Sequence, residues 1–513
     1  MKALPENSDR GDVMSSEKRI PRTLEKLLTR ESKKRDLRIA IIGAGPGGLC
    51  MAIHLRRAGF ENFEILEKAS GLGGTWYHNR YPGCACDIPS HLYSYSFEVK
   101  KDWSRPYAPQ PEILQYLEDC ADKYDLRRHF RFGSKVEQAN WDHTEAKWTL
   151  ELGTGESLLC DVVVSAIGMF NDLNYPEIEG LETFAGKSFH SAQWDWEYDL
   201  RGKQIGVIGS AASAVQFVPE IVKEAGQVHY FQRTANWVLP KEDDPYSPEA
   251  LEHFRSHPTA AQDQRDEIFN RINSGGPGIF ESIRPGMEKA GHQNMAFVED
   301  PEIRAKLVPT HPWGCKRPLF SNDYYRAFNR SNLELVTDGI DRITPSSILT
   351  VDGNERPIDT LILATGFKTT RYLSSIDVRG RDGITIGKAW TDGAVAYQGV
   401  TTAGFPNLFM LYGPNTNSDS LITMIEYHVE HSMLHIERLA REDIAWIDVR
   451  SEIMDDYNDR LQKEIEAIGV WYAGCTDYYR APSGRVVTQW PHTMGEHREM
   501  LAQIDSDAYE VGP

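Results

Sequence analysis

Leu37-Arg38-Ile39-Ala40-Ile41-Ile42-Gly43-Ala44-Gly45-Pro46-Gly47-Gly48 is the stretch that decides the fold. A short apolar run breaks into a glycine-rich turn. A helix-like run, Leu49 to Ala58, follows and stops at Gly59, as a helix C-cap does. A second apolar strand, Asn62 to Leu66, ends at Glu67, 24 residues after Gly43. Gly43, Gly45 and Gly48 thus form GxGxxG between a strand and a helix, with an acid at the end of the next strand. Glycines there let the backbone approach a pyrophosphate at the positive helix end, and the acid accepts from a ribose diol. Alone, the three glycines would equally suit a tight turn; the context makes them a dinucleotide site.

The pattern returns 166 residues later. A strand, Gln204 to Ile208, turns at Gly209, a helix runs to about Ala225, and a strand from Val228 to Phe231 leads to Arg233, again 24 residues after the glycine. An arginine cannot accept from a ribose diol but pairs with a 2′-phosphate. The first unit therefore suits FAD and the second NADPH rather than NADH. The second turn reads Gly209-Ser210-Ala211-Ala212-Ser213-Ala214, with alanine at the second and third glycine positions. Alanine at the third serves helix packing; Ala211 leaves open how closely a pyrophosphate approaches. Two dinucleotides on one chain imply hydride transfer from nicotinamide to flavin.

Strands alternating with helices predict an α/β chain of two Rossmann-like dinucleotide-binding domains, for FAD and NADPH. The expected division is a flexible leader at 1–35, a discontinuous FAD-binding domain at 36–170 and 345–513, and an NADPH-binding domain at 171–344. A polar stretch, 245–310, reads as a helical insertion in the second domain, with Asp300-Pro301 as an N-cap and first helical residue. An amphipathic helix from Pro111 to Tyr124, a β-rich stretch from Phe130 to Ala166 and a strand from Asp359 to Leu363 complete the outline.

A length of 513 residues exceeds what one core supports. The net charge of −19 excludes nucleic acid as a natural partner. No window approaches the roughly 18 apolar residues that a bilayer requires, so no membrane insertion is expected. Met1 to Arg38 lacks the apolar core of a secretion signal; Pro21 to Thr29 suits a turn or two of amphipathic helix within a flexible leader. Cys50, Cys84, Cys86, Cys120, Cys160, Cys315 and Cys475 are odd in number, scattered and without a CxxC pair. That speaks against a disulfide framework, a zinc or other metal site and a thiol redox centre, and for reduced thiols in a cytoplasmic protein.

Phe184-Ala185-Gly186-Lys187-Ser188-Phe189-His190-Ser191-Ala192-Gln193-Trp194-Asp195 reads F-x-G-x-x-x-H-x-x-x-W-D. It resembles the fingerprint of the type I Baeyer–Villiger monooxygenases, class B flavoprotein monooxygenases. Gly73-Gly74-Thr75-Trp76, Tyr81-Pro82-Gly83 and Asp87 resemble a second pattern of that family. Similar segments extend from about Leu37 to Arg498: Gln232-Arg233-Thr234 with Trp237, Lys316-Arg317-Pro318, Ala364-Thr365-Gly366-Phe367 and Gly404 to Phe409. The resemblance implies an FAD-containing, NADPH- and O2-dependent enzyme that converts ketones to esters or lactones through a C4a-peroxyflavin.

By the same resemblance, Arg317 stabilises the negative charge beside the flavin, and Asp87 pairs with it and steers it. FAD contacts fall on Gly74, Glu67, Thr75, Trp76, Asp87, Tyr93 and the backbone of Val136. The second turn, with Gly209, Ser210, Ala211 and Ser213, faces NADPH, and Lys316, Arg233 and Thr234 hold its 2′-phosphate. Phe184, Gly186, His190, Trp194 and Asp195 form a linker signature that couples domain movement to the cofactors. Gly413 to Ser420 resembles the branch that includes hydroxyacetophenone-type enzymes and is expected to border flavin and substrate. The aromatic run Trp471-Tyr472, Tyr478-Tyr479-Arg480, Gly484-Arg485 and Trp490-Pro491 fits either a substrate-side lining or a core stripe.

Taken one by one, the same residues read more plainly: Lys316-Arg317 as a surface basic pair, Asp87 as a turn residue, His190 as a structural histidine, Cys84 and Cys86 as packing residues. Three other functions remain open on sequence grounds. They are oxygenation of sulfur or nitrogen in small molecules by a class B relative, flavin or disulfide reduction, and a non-catalytic flavin-bound protein. The chain is expected to act as a monomer or homodimer.

Overall fold

The computed structural model describes residues 35–475 and 479–513. The expected leader, with its Pro21–Thr29 segment, lies outside them but for Arg35, as does Tyr478.

Two five-stranded parallel sheets organise the chain, each built around a glycine-turn strand. The first runs in the order Leu408–Met410, Val162–Ser165, Ile39–Ile42, Phe63–Leu66, Phe130–Arg131. The second runs Leu333–Val336, Gln227–Phe231, Gln204–Ile208, Thr360–Leu363, Lys187–His190. Ile39–Ile42, Val162–Ser165 and Thr360–Leu363 are buried along their whole length, the mark of strands covered on both faces. In each sheet the turn strand has one neighbour on either side reached by crossovers in opposite directions, which opens a crevice at its carboxyl end.

The expected boundary at residue 345 is not where the sheets divide. Thr360–Leu363 pairs with Gln204–Ile208 and Lys187–His190, so it belongs to the second sheet. Ile343, Ile348 and Ile358 also share a core with Ile208 and Leu363. The chain returns to the first unit only after Leu363. A four-residue strand carries no sign of which sheet it joins, because only its register with distant strands decides that.

The insertion is helical, with helices at Pro248–Ser256, Ala260–Asn273, Phe280–Met295 and Pro301–Lys306. Asp300 caps the last of these, accepting from the backbone N–H of Glu302 and Ile303. The expected amphipathic helix spans Gln110–Lys123. A long helix, Leu421–Arg441, packs against Pro46–Arg57, the helix that opens at the first glycine turn. No helix among the described residues is long and apolar enough to cross a membrane.

The cysteine expectation needs correcting. Cys315 and Cys475 are joined by a disulfide across a sequence separation of 160. Such a pair leaves no short-range spacing signature, because the fold alone brings its halves together. The other five cysteines are free and buried. Burial pushes the Cys84 thiol up to about 12, and Cys86 is raised further by burial and Asp87, so neither is a ready thiolate.

Candidate active site

The two glycine turns face one cavity of about 600 Å³. Its lining runs from Gly43, Gly45 and Glu67, past Thr75, Asp87 and Arg317, to Ala211 and Ser213 of the second turn. That size falls within the range of small-molecule and cofactor sites.

Gly43 and Gly209 play matching parts. Their φ angles are +107° and +111°, and a Cβ would lie 2.6 Å from the Ala166 carbonyl oxygen and 2.2 Å from that of Ala364. Ala166 and Ala364 follow the neighbouring strands of their respective sheets. Each turn is therefore pressed against the next strand's exit, and only glycine fits. Gly74 explains the second motif in the same way: a Cβ there would sit 2.8 Å from Cα of Gly45. Gly73-Gly74 thus lies directly on the first turn. Ala211 is exposed and lines the cavity, so its methyl displaces no protein atom.

Glu67 is buried, and its carboxylate accepts from the backbone N–H of Ala44 at 2.8 Å and of Ala69 at 2.7 Å. Those bonds fix the group at the cavity wall and leave lone pairs for a diol. Trp76 donates through Nε1 to the Tyr93 hydroxyl at 3.1 Å, and Val136 is buried in the wall beyond them. These residues fit FAD: an oriented carboxylate, a glycine cradle and a cavity that continues to the second turn.

Between the two units, Arg317 donates through Nε and Nη2 to one oxygen of Asp87, at 2.9 and 2.6 Å. Both side chains are half-buried and line the cavity. Asp87 belongs to the first unit and Arg317 to the second, so the pair bridges them. Lys316 is half-buried beside it. Arg233 is exposed at the end of its strand, with Thr234 half-buried next to it. Ser210 donates to the Thr234 carbonyl at 3.1 Å and accepts from Asn236 through its own carbonyl at 2.8 Å, closing the second turn against that strand end.

The linker signature occupies an edge strand and the turn after it. His190 ends Lys187–His190, and its Nδ1 accepts from the Ala192 N–H at 3.1 Å. Burial lowers its pKa to about 4, with the Gly366 backbone opposing. It is neutral at pH 7 and packs on Phe367, which lines the cavity. Trp194 stacks at a tilt on Phe217 of the second turn's helix, 5.2 Å between centroids. Asp195 pairs with Lys187 at 2.5 Å. Phe184 is half-buried, and a Cβ on Gly186 would lie 2.4 Å from the Asp359 carbonyl oxygen, so the strand can run against Thr360–Leu363 only with glycine there.

Gln216 escaped sequence reading. On the second unit's helix Ala212–Ile221, it accepts from the Tyr81 hydroxyl at 2.9 Å and donates to the Ala85 carbonyl at 3.0 Å. Tyr81-Pro82-Gly83 is thus a seam between the units. Its only signal in the sequence was a lone glutamine amid an apolar helix. Among the described residues, no group of three His, Cys, Asp or Glu side chains stands where it could hold a metal.

Two parallel sheets whose glycine turns, one leading to Glu67 and the other to Arg233, meet one cavity define a two-dinucleotide flavoprotein oxidoreductase. A family model described as pyridine nucleotide-disulphide oxidoreductase matches residues 40–264. A Baeyer–Villiger monooxygenase of Pseudomonas aeruginosa is 38% identical over 487 residues, covering 93% of this chain and 92% of that protein. One of Streptomyces coelicolor is 39% identical over 496 residues, covering 94% of each. Among solved structures, cyclohexanone monooxygenase from Rhodococcus sp. Phi1 bound to NADP+ superposes with a TM-score of 0.84 at 30% identity, covering 93% of this chain and 99% of that one. The chain belongs to the Baeyer–Villiger monooxygenase family, a family of FAD- and NADPH-dependent flavoprotein monooxygenases.

Proposed function

We propose that this enzyme uses NADPH and O2 to convert a ketone into an ester or lactone, with Arg317 as the charge-stabilising residue and Asp87 as its positioning partner. The observation that carries this reading is the Arg317–Asp87 ion pair in the wall of the cavity that both glycine turns border. Bound FAD would accept hydride from NADPH and activate oxygen.

The chain's own residues bind and orient. Glu67 would accept from the ribose diol of FAD, the free N–H groups at the start of Pro46–Arg57 would take its pyrophosphate, and Thr75, Trp76, Tyr93 and Val136 would hold the flavin. Gly209, Ser210, Ala211 and Ser213 offer the second pyrophosphate site, while Arg233, Thr234 and Lys316 read the 2′-phosphate. Arg317 presents a permanently charged guanidinium where negative charge develops on oxygen as the ester forms. Asp87 holds two of its N–H groups and keeps it at the junction. His190 and Trp194 join the edge strand of the second unit to the cavity wall and to the helix at the seam, so they transmit movement between units.

Arg317→Ala tests the reading. Flavin reduction by NADPH in anaerobic stopped flow persists, while ester formation falls by at least about a hundredfold, the scale of losing one preorganised charge stabiliser. Normal ester yield from the variant rules the assignment out. A cytoplasmic site of action remains part of the proposal, and the redox state of Cys315 and Cys475 in cell lysate tests it.

A further inference from the structure

We infer that Asp419 is a specificity determinant, a hydrogen-bond acceptor that selects ketones bearing a hydroxyl or ammonium group and rejects those bearing a carboxylate. This rests on the ketone reading above.

The cavity is lined by several charged side chains, and nearly all have partners. Glu67 takes two backbone N–H groups, Asp87 takes Arg317, Asp172 takes the Ser374 hydroxyl, and Lys68 donates to Asn171. Asp419, an exposed residue, also lines it, and among the described residues its carboxylate takes its own backbone N–H and no other donor. Its carboxylate is open to a ligand that enters the cavity, and ionisable groups placed in this way concentrate at functional sites.

The backbone holds Asp419 in place from both sides. Asn417 accepts from the Tyr412 hydroxyl at 2.6 Å and donates through Nδ2 to Gln489. Ser420 caps the helix Leu421–Arg441, accepting from the Thr423 N–H. The carboxylate is therefore presented from a fixed turn just ahead of a long helix, where the macrodipole favours negative charge. The residues nearest it in the chain that also line the cavity are the polar Asn417 and Ser418 and the apolar Leu421 and Ile425. Burial in the cavity pushes its carboxyl up, and the charge of Arg317, which lines the same cavity, draws it back down.

The arrangement offers a substrate a charged acceptor in the cavity that Arg317 also lines. A hydroxyl or ammonium on the ketone satisfies it; a carboxylate there meets like charge. A hydrogen bond to a charged group is worth about tenfold to a hundredfold in affinity.

The test is ketone binding to the oxidised, NADP+-loaded holoenzyme, read from the perturbation of flavin absorbance and so independent of turnover. The probes are cyclohexanone, hydroxycyclohexanone, aminocyclohexanone and oxocyclohexanecarboxylate. Wild type is expected to bind the hydroxy or amino ketone about tenfold or more tighter than the parent, and the carboxylate more weakly. In Asp419→Asn and Asp419→Leu the donor preference falls by about tenfold and the carboxylate gains. A loss for the amino ketone alone identifies an ammonium as the group read; equal losses identify any donor.

Two results overturn the proposal. One is a donor-to-parent affinity ratio unchanged in both variants. The other is a uniform loss across all four ketones, which would make Asp419 a partner of Arg317 instead. If wild type binds these ketones with the expected ratios yet forms no ester, the ketone-oxygenation reading fails while the role of Asp419 stands.

Discussion

Gly83 has a φ of +75°, and a Cβ there would lie 2.7 Å from the Gln216 carbonyl oxygen on the other unit's helix. Backbone strain and a backbone clash then act together, so Gly83→Ala lowers stability by about 1–3 kcal/mol. Urea unfolding measures it, and a change below about 0.5 kcal/mol shows that the seam tolerates a side chain. Arg233 is a different kind of residue, exposed and without a structural burden. Arg233→Ala is expected to leave the fold unchanged while cutting the preference for NADPH over NADH by about tenfold to a hundredfold, the worth of a charge-assisted bond to phosphate. Steady-state kinetics with both nucleotides decides; an unchanged preference assigns the phosphate to other residues. Gly43, Glu67 and Arg233 were legible because their spacing within one βαβ unit is local. Gln216 was not, since its role depends on a partner 131 to 135 residues away.

At the scale of elements, the helix Leu421–Arg441 carries a buried histidine network. His428 Nδ1 accepts from the Tyr412 N–H at 2.9 Å, so its Nε2 bears the proton and donates to His497 at 2.8 Å. His431 donates through Nδ1 to the Leu501 carbonyl at 2.9 Å. Burial holds His428 at about 3 and His431 at about 4, and pushes His435 and His497 well below the usual range. In the unfolded chain these groups take up protons near pH 6.5, and in the folded one they do not. Stability is therefore full above about pH 6.5 and is lost as pH falls toward the folded values, by about 1.4 kcal/mol per pH unit for each such histidine. Unfolding midpoints at pH 7 and pH 5 measure this. His428→Gln should flatten the slope, and a slope unchanged by it removes His428 from the account. The helical pattern of this segment is plain in the sequence, but its histidines could as well have faced solvent.

For the whole molecule, the disulfide fastens Cys315, next to Lys316 and Arg317, to Cys475 in the C-terminal part. Closing a loop of that length is worth about 5 kcal/mol in the chain-entropy account, of which disulfides typically deliver about 2–4 kcal/mol. Cys315→Ser should lower the unfolding free energy by that amount, and thiol titration of denatured wild type should find five free thiols before reduction and seven after. Seven before reduction would mean the bond is absent from the purified protein. By itself, the sequence determined the two nucleotide units, the Glu67 and Arg233 at their strand ends and the family, because glycine turns and strand-end residues act within a few dozen residues of chain. Only the tertiary structure decided that Thr360–Leu363 joins the second sheet, that Cys315 meets Cys475 and that Asp419 stands in the cavity with no other side chain hydrogen-bonded to it among the described residues. Each of those depends on which distant segments pack together, and burial and register, unlike spacing, are properties of the folded chain as a whole.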